Sequence, residues 1–181
     1  AIYLDAPVSQ TVGKKTVWFS PEYLYDVDVD GLIGALTNQQ QSMEAQGAQY
    51  EAEGGAAYRA LGYRIEAYQR AQQALKEMTN ADLQIAVNHV PMETSYIRES
   101  IEWADQEKIF NFRNISLLLC GHYCGGQWRL PGGGAIYVPE KGWFPSDDGI
   151  RGMQRINSLN QYISPGIGAS GDYPMKGRLF N

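Results

Sequence analysis

Cysteine and histidine are scarce in this chain, which has two of each among its 181 residues. Cys120 and Cys124 are four positions apart, and no further cysteine is present to complete a disulfide framework or a cysteine-rich zinc site. A chain of this length buries roughly 70% of the surface that its unfolded form exposes, so its core needs neither disulfides nor a structural metal to be stable. We therefore expect residues 1–181 to form one domain, with Cys120 as a small buried side chain.

Positive charge and long apolar runs are also lacking. Fifteen Lys and Arg stand against 20 Asp and Glu, a net charge of −5, and no basic stripe is present. This balance argues against nucleic-acid binding, which needs clustered cations. The longest apolar runs, such as Ile115 to Cys120, are far shorter than the roughly 20 residues that span a bilayer. With no visible signal peptide, we expect a soluble, cytoplasmic protein, a localisation that an upstream signal or anchor would change.

A helical stretch from 32 to 78 follows a first segment, 1 to 31, that is typical of strands and turns. The stretch is rich in Ala, Gln and Glu and has no proline, and Gly54-Gly55 predicts either two helices or one helix that is frayed in the middle. The helical spacing of its tyrosines indicates a face that packs against the rest of the protein, and a stripe that binds a ligand or partner is the alternative. These tyrosines are Tyr50, Tyr58, Tyr63 and Tyr68.

Beyond residue 82 the chain alternates between strand and helix. The pattern predicts a strand at Leu83–Val87, an amphipathic helix at Ser95–Ile109 and a strand at Ser116–Cys120. This order is that of a βαβ unit with parallel strands, so the fold class is α/β. Short strands joined by Gly- and Pro-rich loops follow, including Ala135–Val138 and Gln161–Ser164.

Both histidines come directly after one of these buried strands: His89 follows the first and His122 the second. Because parallel strands end at the same edge of a sheet, we expect the two imidazoles to face one crevice, where α/β proteins bind their ligands. Gly121 is expected to provide a sharp turn after the strand, and Gly125-Gly126 a close approach of the backbone. Such loops are typical of metal and phosphate sites.

The segment around His122 resembles a known family. Residues 121–127 read Gly-His-Tyr-Cys-Gly-Gly-Gln, with Leu130-Pro131 after them, and are similar to the Gly-His-x-His-Gly-Gly-Gln loop of calcineurin-like metallophosphoesterases. Residues 88–91, Asn-His-Val-Pro, resemble the preceding histidine motif of that family. Residues 162–168 and 178–180 are similar to the closing strands of its bacterial branch. The resemblance covers residues 82–181 in order and leaves out the helical stretch 32–78, which we interpret as an insertion.

This resemblance implies a particular fold and metal centre. The fold would be a layered β-sheet sandwich flanked by helices. The site would hold two divalent ions, Mn, Fe or Zn, about 3.5–4 Å apart, bridged by a carboxylate and a hydroxide. His89 and His122 would bind one ion and Cys124 the other. The substrate would be a phosphomonoester or phosphodiester, attacked by metal-activated water.

Two departures from the family pattern bear on this expectation. The Asp-x-His, Gly-Asp and Gly-Asn-His motifs that complete the family's metal pair do not occur here. We therefore expect the chain to be the C-terminal part of a larger catalytic domain, inactive without its N-terminal segment. Cys124 stands where the family has a histidine, and its thiolate would favour softer metals. The alternative is a non-catalytic protein with a decayed metal site and a helical surface that binds a partner.

Overall fold

A computed structural model of the chain describes residues 4–21, 24, 27–103, 112–126, 128–146 and 149–166. In these residues the protein is mixed α/β, with three α-helices and two β-sheets. The α/β class expected from the sequence is confirmed at this level. The helices are α1 (Val29–Ala45), α2 (Ala52–Glu77) and α3 (Thr94–Trp103).

The larger sheet has six strands in the order β1-β2-β3-β4-β9-β8. They are β1 (Val8–Val12), β2 (Lys15–Pro21), β3 (Leu83–Val87), β4 (Ile115–Cys120), β8 (Gly152–Ile156) and β9 (Leu159–Ile163). The four central strands are parallel, and the two edge strands pair antiparallel with their neighbours. The predicted βαβ unit is therefore confirmed as β3-α3-β4. Residues 104–109 of the predicted helix lie outside the described residues.

The main core lies between this sheet and its helices. Leu118 and Ile163 on the central strands are fully buried and pack in one cluster with Ala71 and Ala74 of α2. Small alanine side chains let the helix lie close to the sheet, and burial of the larger aliphatic groups stabilises the layer by about 1.5–3 kcal/mol for each side chain. Cys120 belongs to this core at 6% exposure, as the sequence predicted.

The helical stretch forms the crossover between the parallel strands β2 and β3. Its break lies at residues 46–51, where Gly47 adopts a left-handed conformation (φ 74°) before a single 3₁₀ turn. The expectation of two helices is confirmed, but the predicted position of the break, Gly54-Gly55, is wrong. Both glycines lie in the first turn of α2, and a Cβ on Gly54 would stand 2.7 Å from the Ala48 carbonyl oxygen. The pair thus allows the 3₁₀ turn and the helix to approach closely.

The tyrosines of the helical stretch are mostly engaged within the molecule. Tyr68 packs between the main core and a smaller cluster of Leu36, Leu61 and Ile65. The hydroxyl of Tyr58 donates to Glu44, and that of Tyr63 to Asp5. Tyr50, in contrast, is 88% exposed. The packing interpretation therefore holds for Tyr68, and hydrogen bonding within the chain accounts for Tyr58 and Tyr63.

The smaller sheet consists of β5 (Trp128–Arg129), β6 (Ala135–Val138) and β7 (Gly142–Trp143). It follows the loop that carries His122 and packs through a separate apolar cluster. Ala135 and Val138 of β6 contact Tyr123, Ile150 and the partly buried Val90. Since Val90 and Tyr123 are the neighbours of His89 and His122, this cluster holds the smaller sheet against both histidine loops. In the part of the chain that the structure describes, no helix has the length and apolarity to cross a membrane.

Asp82 joins the end of α2 to the sheet and provides a pH-dependent contribution to stability. Its carboxylate accepts hydrogen bonds from the Thr79 amide (2.8 Å) and from Nε1 of the buried Trp18 (3.1 Å). The Thr79 bond, followed by the Trp18 bond, holds the pKa of Asp82 below its ordinary value of 3.8. Because the folded pKa is lowered, this stabilisation is present above the unfolded pKa and is lost as pH falls through the folded one.

We expect Asp82→Asn to lower the thermal unfolding temperature at neutral pH, and the difference from wild type to shrink as the pH falls below about 3.8. Thermal unfolding followed by circular dichroism across this range checks the prediction. Glu66→Gln, the same change on an exposed position of α2, is the control and should follow the wild type. A constant difference between Asp82→Asn and wild type at all pH values would contradict the proposed origin of the stabilisation.

Candidate functional site

The carboxyl ends of β3 and β4 bring the two histidine loops together. The Asn88 amide donates to the Leu119 carbonyl oxygen at 2.9 Å, and the Gly121 amide donates to the His89 carbonyl oxygen at 3.1 Å. The parallel ladder thus continues past both strands and binds the two loops to each other. This pairing places His89 beside His122, although 33 residues separate them in sequence.

The two imidazoles face one another at this edge of the sheet. Nδ1 of His122 lies 2.9 Å from Nε2 of His89, and the ring centroids are 4.7 Å apart with the planes inclined by 73°. The expectation that the two histidines come together at one edge of the sheet is confirmed. The facing atoms are specific: one ring presents Nδ1 and the other Nε2.

Two residues of the loop after β4 adopt an unusual backbone conformation. His122 and Cys124 have φ values of 70° and 50°. These values lie in the left-handed region, which residues other than glycine seldom occupy. Such strain of about 1–3 kcal/mol is often found at functional sites. Gly121 is not among the residues with positive φ, and a Cβ there would meet nothing closer than 4.0 Å. The prediction that Gly121 provides the sharp turn is therefore wrong, since the turn is made by the residues after it.

Cys124 lies on the same loop and is partly buried. Its Sγ is 3.6 Å from the carbonyl oxygen of His122, a weak S–H···O contact within the loop. Cys124 is therefore held in the same loop as His122, two positions after it. Its predicted role as a metal ligand stays a prediction.

Buried polar side chains hold the two histidine loops in place. Arg129, only 1% exposed, donates to the Gly125 carbonyl oxygen (2.9 Å) and to the Gly133 carbonyl oxygen (3.0 Å). On the other side, the buried Gln161 side chain bonds both the amide and the carbonyl of Met92, at 2.9 and 3.1 Å. Arg129 therefore fixes the loop after β4, and Gln161 fixes the loop after β3. Burial of the charged Arg129 guanidinium would cost free energy if its N–H groups had no acceptors, and these two hydrogen bonds reduce that cost.

Glu140 is the site residue that sequence reasoning missed. Its Oε1 lies 2.5 Å from Nε2 of His122, on the side of the ring away from His89. The residue is in the β6–β7 connection, 18 positions after His122. An acidic residue in a hairpin loop is usually solvated, so only the packing of the smaller sheet reveals this contact.

Lys141 and Tyr123 complete the surroundings of the pair. Nζ of Lys141 forms a 3.0 Å ion pair with Glu93 and lies 5.3 Å from the centre of the Tyr123 ring. Burial raises the pKa of the Tyr123 phenol, while the nearby Lys141 acts in the opposite direction. The phenol therefore stays neutral at physiological pH.

The spacing of the histidine pair is that of an N–H···N hydrogen bond between the two rings, 2.9 Å. Two imidazole nitrogens at about 2.1 Å from one ion lie roughly 3.0–3.4 Å apart for angles between about 90° and 109° at the ion. A small separation of the rings would therefore let both nitrogens bind one ion. Among the described residues, however, no group of three or more His, Cys, Asp or Glu side chains is arranged to hold a metal. The described residues thus offer a ligand pair for one ion and do not by themselves form the complete dinuclear centre that the resemblance implies.

Comparison of the chain with protein-family models, with curated proteins and with solved structures finds no match.

Gly126 allows the histidine loop and the smaller sheet to approach closely. Its φ is 67°, and a Cβ built there would stand 2.3 Å from the Cβ of Ala135. The predicted close backbone approach is therefore observed for Gly126, against β6. Gly132 has nearly the same φ, 66°, but a Cβ there meets nothing within 4 Å.

We expect Gly126→Ala to destabilise the protein by about 1–3 kcal/mol more than Gly132→Ala. Both variants incur the left-handed strain, so the difference between them isolates the clash with Ala135. Chemical denaturation of the two variants and of wild type measures it. Equal losses in both variants would show that the loop and the smaller sheet are not packed as described.

Proposed function

We propose that this chain provides C-terminal histidine ligands of a metal-dependent phosphoesterase that hydrolyses a phosphomonoester or phosphodiester. The observation that carries the proposal is the pairing of Nδ1 of His122 with Nε2 of His89, 2.9 Å apart at the carboxyl edge of parallel strands. The resemblance of residues 88–91 and 121–127 to the metallophosphoesterase motifs supports the same assignment.

Each histidine has a defined task in this proposal. Nε2 of His89 and Nδ1 of His122 bind one divalent ion, Mn, Fe or Zn, and the hydrogen-bonded loops hold both rings before the ion arrives. When bound, the metal centre supplies a hydroxide nucleophile and polarises the phosphate of the substrate. The remaining ligands, including the bridging carboxylate, are not among the described residues around the pair. Cys124 binds the second ion through its thiolate.

The alternative, a non-catalytic protein that binds a partner through its tyrosine-bearing helices, has less support. Tyr58 and Tyr63 donate to carboxylates of the same chain, and Tyr68 packs in the core. The strained backbone of His122, which faces His89, also favours a functional site, because strain of this kind usually persists where function requires it. We therefore favour the enzyme.

We expect Mn²⁺ to bind at the histidine pair of the 181-residue chain. Because this ion is paramagnetic, it should broaden the amide signals of residues 88–90 and 121–124 first in an NMR titration. His89→Ala and His122→Ala should each raise the Mn²⁺ concentration for half-maximal broadening by at least about tenfold, since each removes one of the two ligands. Glu66→Gln, which removes an exposed carboxylate of α2, is the control. Broadening that is the same in wild type and both histidine variants would overturn the metal site.

We expect the 181-residue chain alone to hydrolyse bis-p-nitrophenyl phosphate at the background rate in the presence of Mn²⁺, because the described residues offer no bridging carboxylate to the histidine pair, and the pair alone does not hold two ions. A form extended by a segment that contains the Asp-x-His, Gly-Asp and Gly-Asn-His motifs should be active and should lose that activity with His122→Ala. Robust hydrolysis by the 181-residue chain, abolished by His122→Ala, would show that the missing ligands lie within it. An inactive extended protein that also binds no metal would contradict the proposed function.

A further inference from the structure

Glu140 lies on the far side of the His122 ring from His89, with its Oε1 at hydrogen-bond distance from Nε2 of His122. We propose that Glu140 is a positioning residue: its carboxylate accepts the Nε2–H of His122 and leaves Nδ1 as a bare acceptor directed at Nε2 of His89. This inference rests on the proposed function and concerns how the same site is prepared for its ion.

The proton arrangement follows from the chemistry of the two groups. An ionised carboxylate only accepts hydrogen bonds, so at 2.5 Å from Glu140 the Nε2 atom of His122 must be the donor. A neutral imidazole carries one proton, and its other nitrogen then has a free lone pair. That nitrogen, Nδ1, is the atom 2.9 Å from His89. In the metal-free pair Nε2–H of His89 then donates to Nδ1 of His122, and His89 must carry its proton on Nδ1 when both facing nitrogens bind an ion. The Glu140 contact therefore selects the tautomer that metal binding needs at His122.

The position of Glu140 is determined by its hairpin. Residues 139–141 connect β6 to β7, and the Lys141 amide donates to the Val138 carbonyl oxygen at 3.0 Å to close the turn. Gly142 follows with φ 79°, as is typical of a three-residue hairpin loop that ends in a left-handed glycine. The turn therefore orders the backbone that carries Glu140, so only the side chain of Glu140 has to be ordered when it binds the imidazole.

The hairpin in turn is attached to both histidine loops. The ion pair between Lys141 and Glu93 joins it to the chain just after His89, at 3.0 Å. Below it, Val138 is fully buried in the cluster that contains Val90 and Tyr123. Glu140 is thus held relative to the ring by packing as well as by its own hydrogen bond.

If the Glu140–His122 pair served only to stabilise the fold, its loss would have different effects on folding stability and on metal affinity. Glu140 is 53% exposed and His122 is 28% exposed, and pairs exposed to this degree contribute little to folding stability. Loss of a carboxylate that orients a metal-binding histidine, in contrast, typically weakens metal affinity by about 10–100-fold. The two roles are therefore separable by measuring the tautomer and the metal affinity together with stability.

The test uses the 181-residue chain labelled with ¹⁵N in histidine. In mildly alkaline buffer without metal, long-range ¹H–¹⁵N spectra identify which ring nitrogen carries the proton. We expect His122 of the wild type to be protonated at Nε2. Glu140→Ala should shift His122 toward a mixture of tautomers and raise the Mn²⁺ concentration for half-maximal broadening by about 10–100-fold. Its unfolding temperature should stay close to that of the wild type.

Glu66→Ala is the matched control. It removes an exposed carboxylate, with the same change of charge, from a residue that lies on α2 and not on the hairpin or on either histidine loop. We expect this variant to keep the wild-type tautomer and Mn²⁺ response. Glu140→Asp, in which the carboxylate is one methylene shorter, should restore part of the Nε2–H population if the hydrogen bond is the cause.

The readouts separate the two proposals. A His122 tautomer that is unchanged in Glu140→Ala, or that changes equally in Glu66→Ala, overturns the positioning role whatever the Mn²⁺ titration shows. A tautomer shift in Glu140→Ala together with no broadening at the pair in wild type overturns the proposed metal function, while it supports the orientation of the ring by Glu140.

Discussion

Parallel pairing of β3 with β4 is the constraint on which the candidate site depends. The two strands end at the same edge of the sheet, and the ladder continues through the hydrogen bonds of Asn88 and Gly121. Without this register, the loops that carry His89 and His122 would have no common boundary. Because side chains alternate along a strand, a shift of one residue would turn the following loop to the other face. The separation of the two imidazoles therefore depends on the buried aliphatic side chains that set the register.

The smaller sheet completes the site from the other side. Its attachment depends on a close approach at Gly126, on the buried guanidinium of Arg129 and on the apolar cluster around Val138. These three contacts differ in kind: the first is steric, the second polar and the third hydrophobic. Together they bring Glu140 to the outer nitrogen of His122. A hairpin that adds only a few residues to the main fold thus adds a carboxylate to the site.

The helical stretch contributes to the fold in two ways. The part of α2 that contains Ala71 and Ala74 covers the sheet and belongs to the main core. The region around Leu36, Leu61 and Ile65 packs mainly helix against helix, away from the strands. Since α1 and α2 connect two adjacent parallel strands, part of this stretch is the crossover that such a pair requires.

Sequence patterns were sufficient for the local elements and for the pairing of the histidines. A short apolar run, an amphipathic segment and a second apolar run imply a parallel βαβ unit, and a residue that follows each strand must lie at the shared edge. The sequence patterns were insufficient to locate the helix break. Gly47 and Gly54 have the same intrinsic conformational preferences, and only packing decides at which of them the helix is interrupted. Gly121 shows the same limit, since the strained turn lies at His122.

The sequence by itself determined the α/β class, the strand that precedes each histidine and the glycine-rich loop, because periodicity and turn chemistry act over a few neighbouring residues. Only the tertiary structure decided which nitrogen of each imidazole faces the other, and that Glu140 contacts the outer side of the His122 ring. These contacts join residues 33 and 18 positions apart. Their distances depend on how two sheets pack, and local propensities carry no information about that packing.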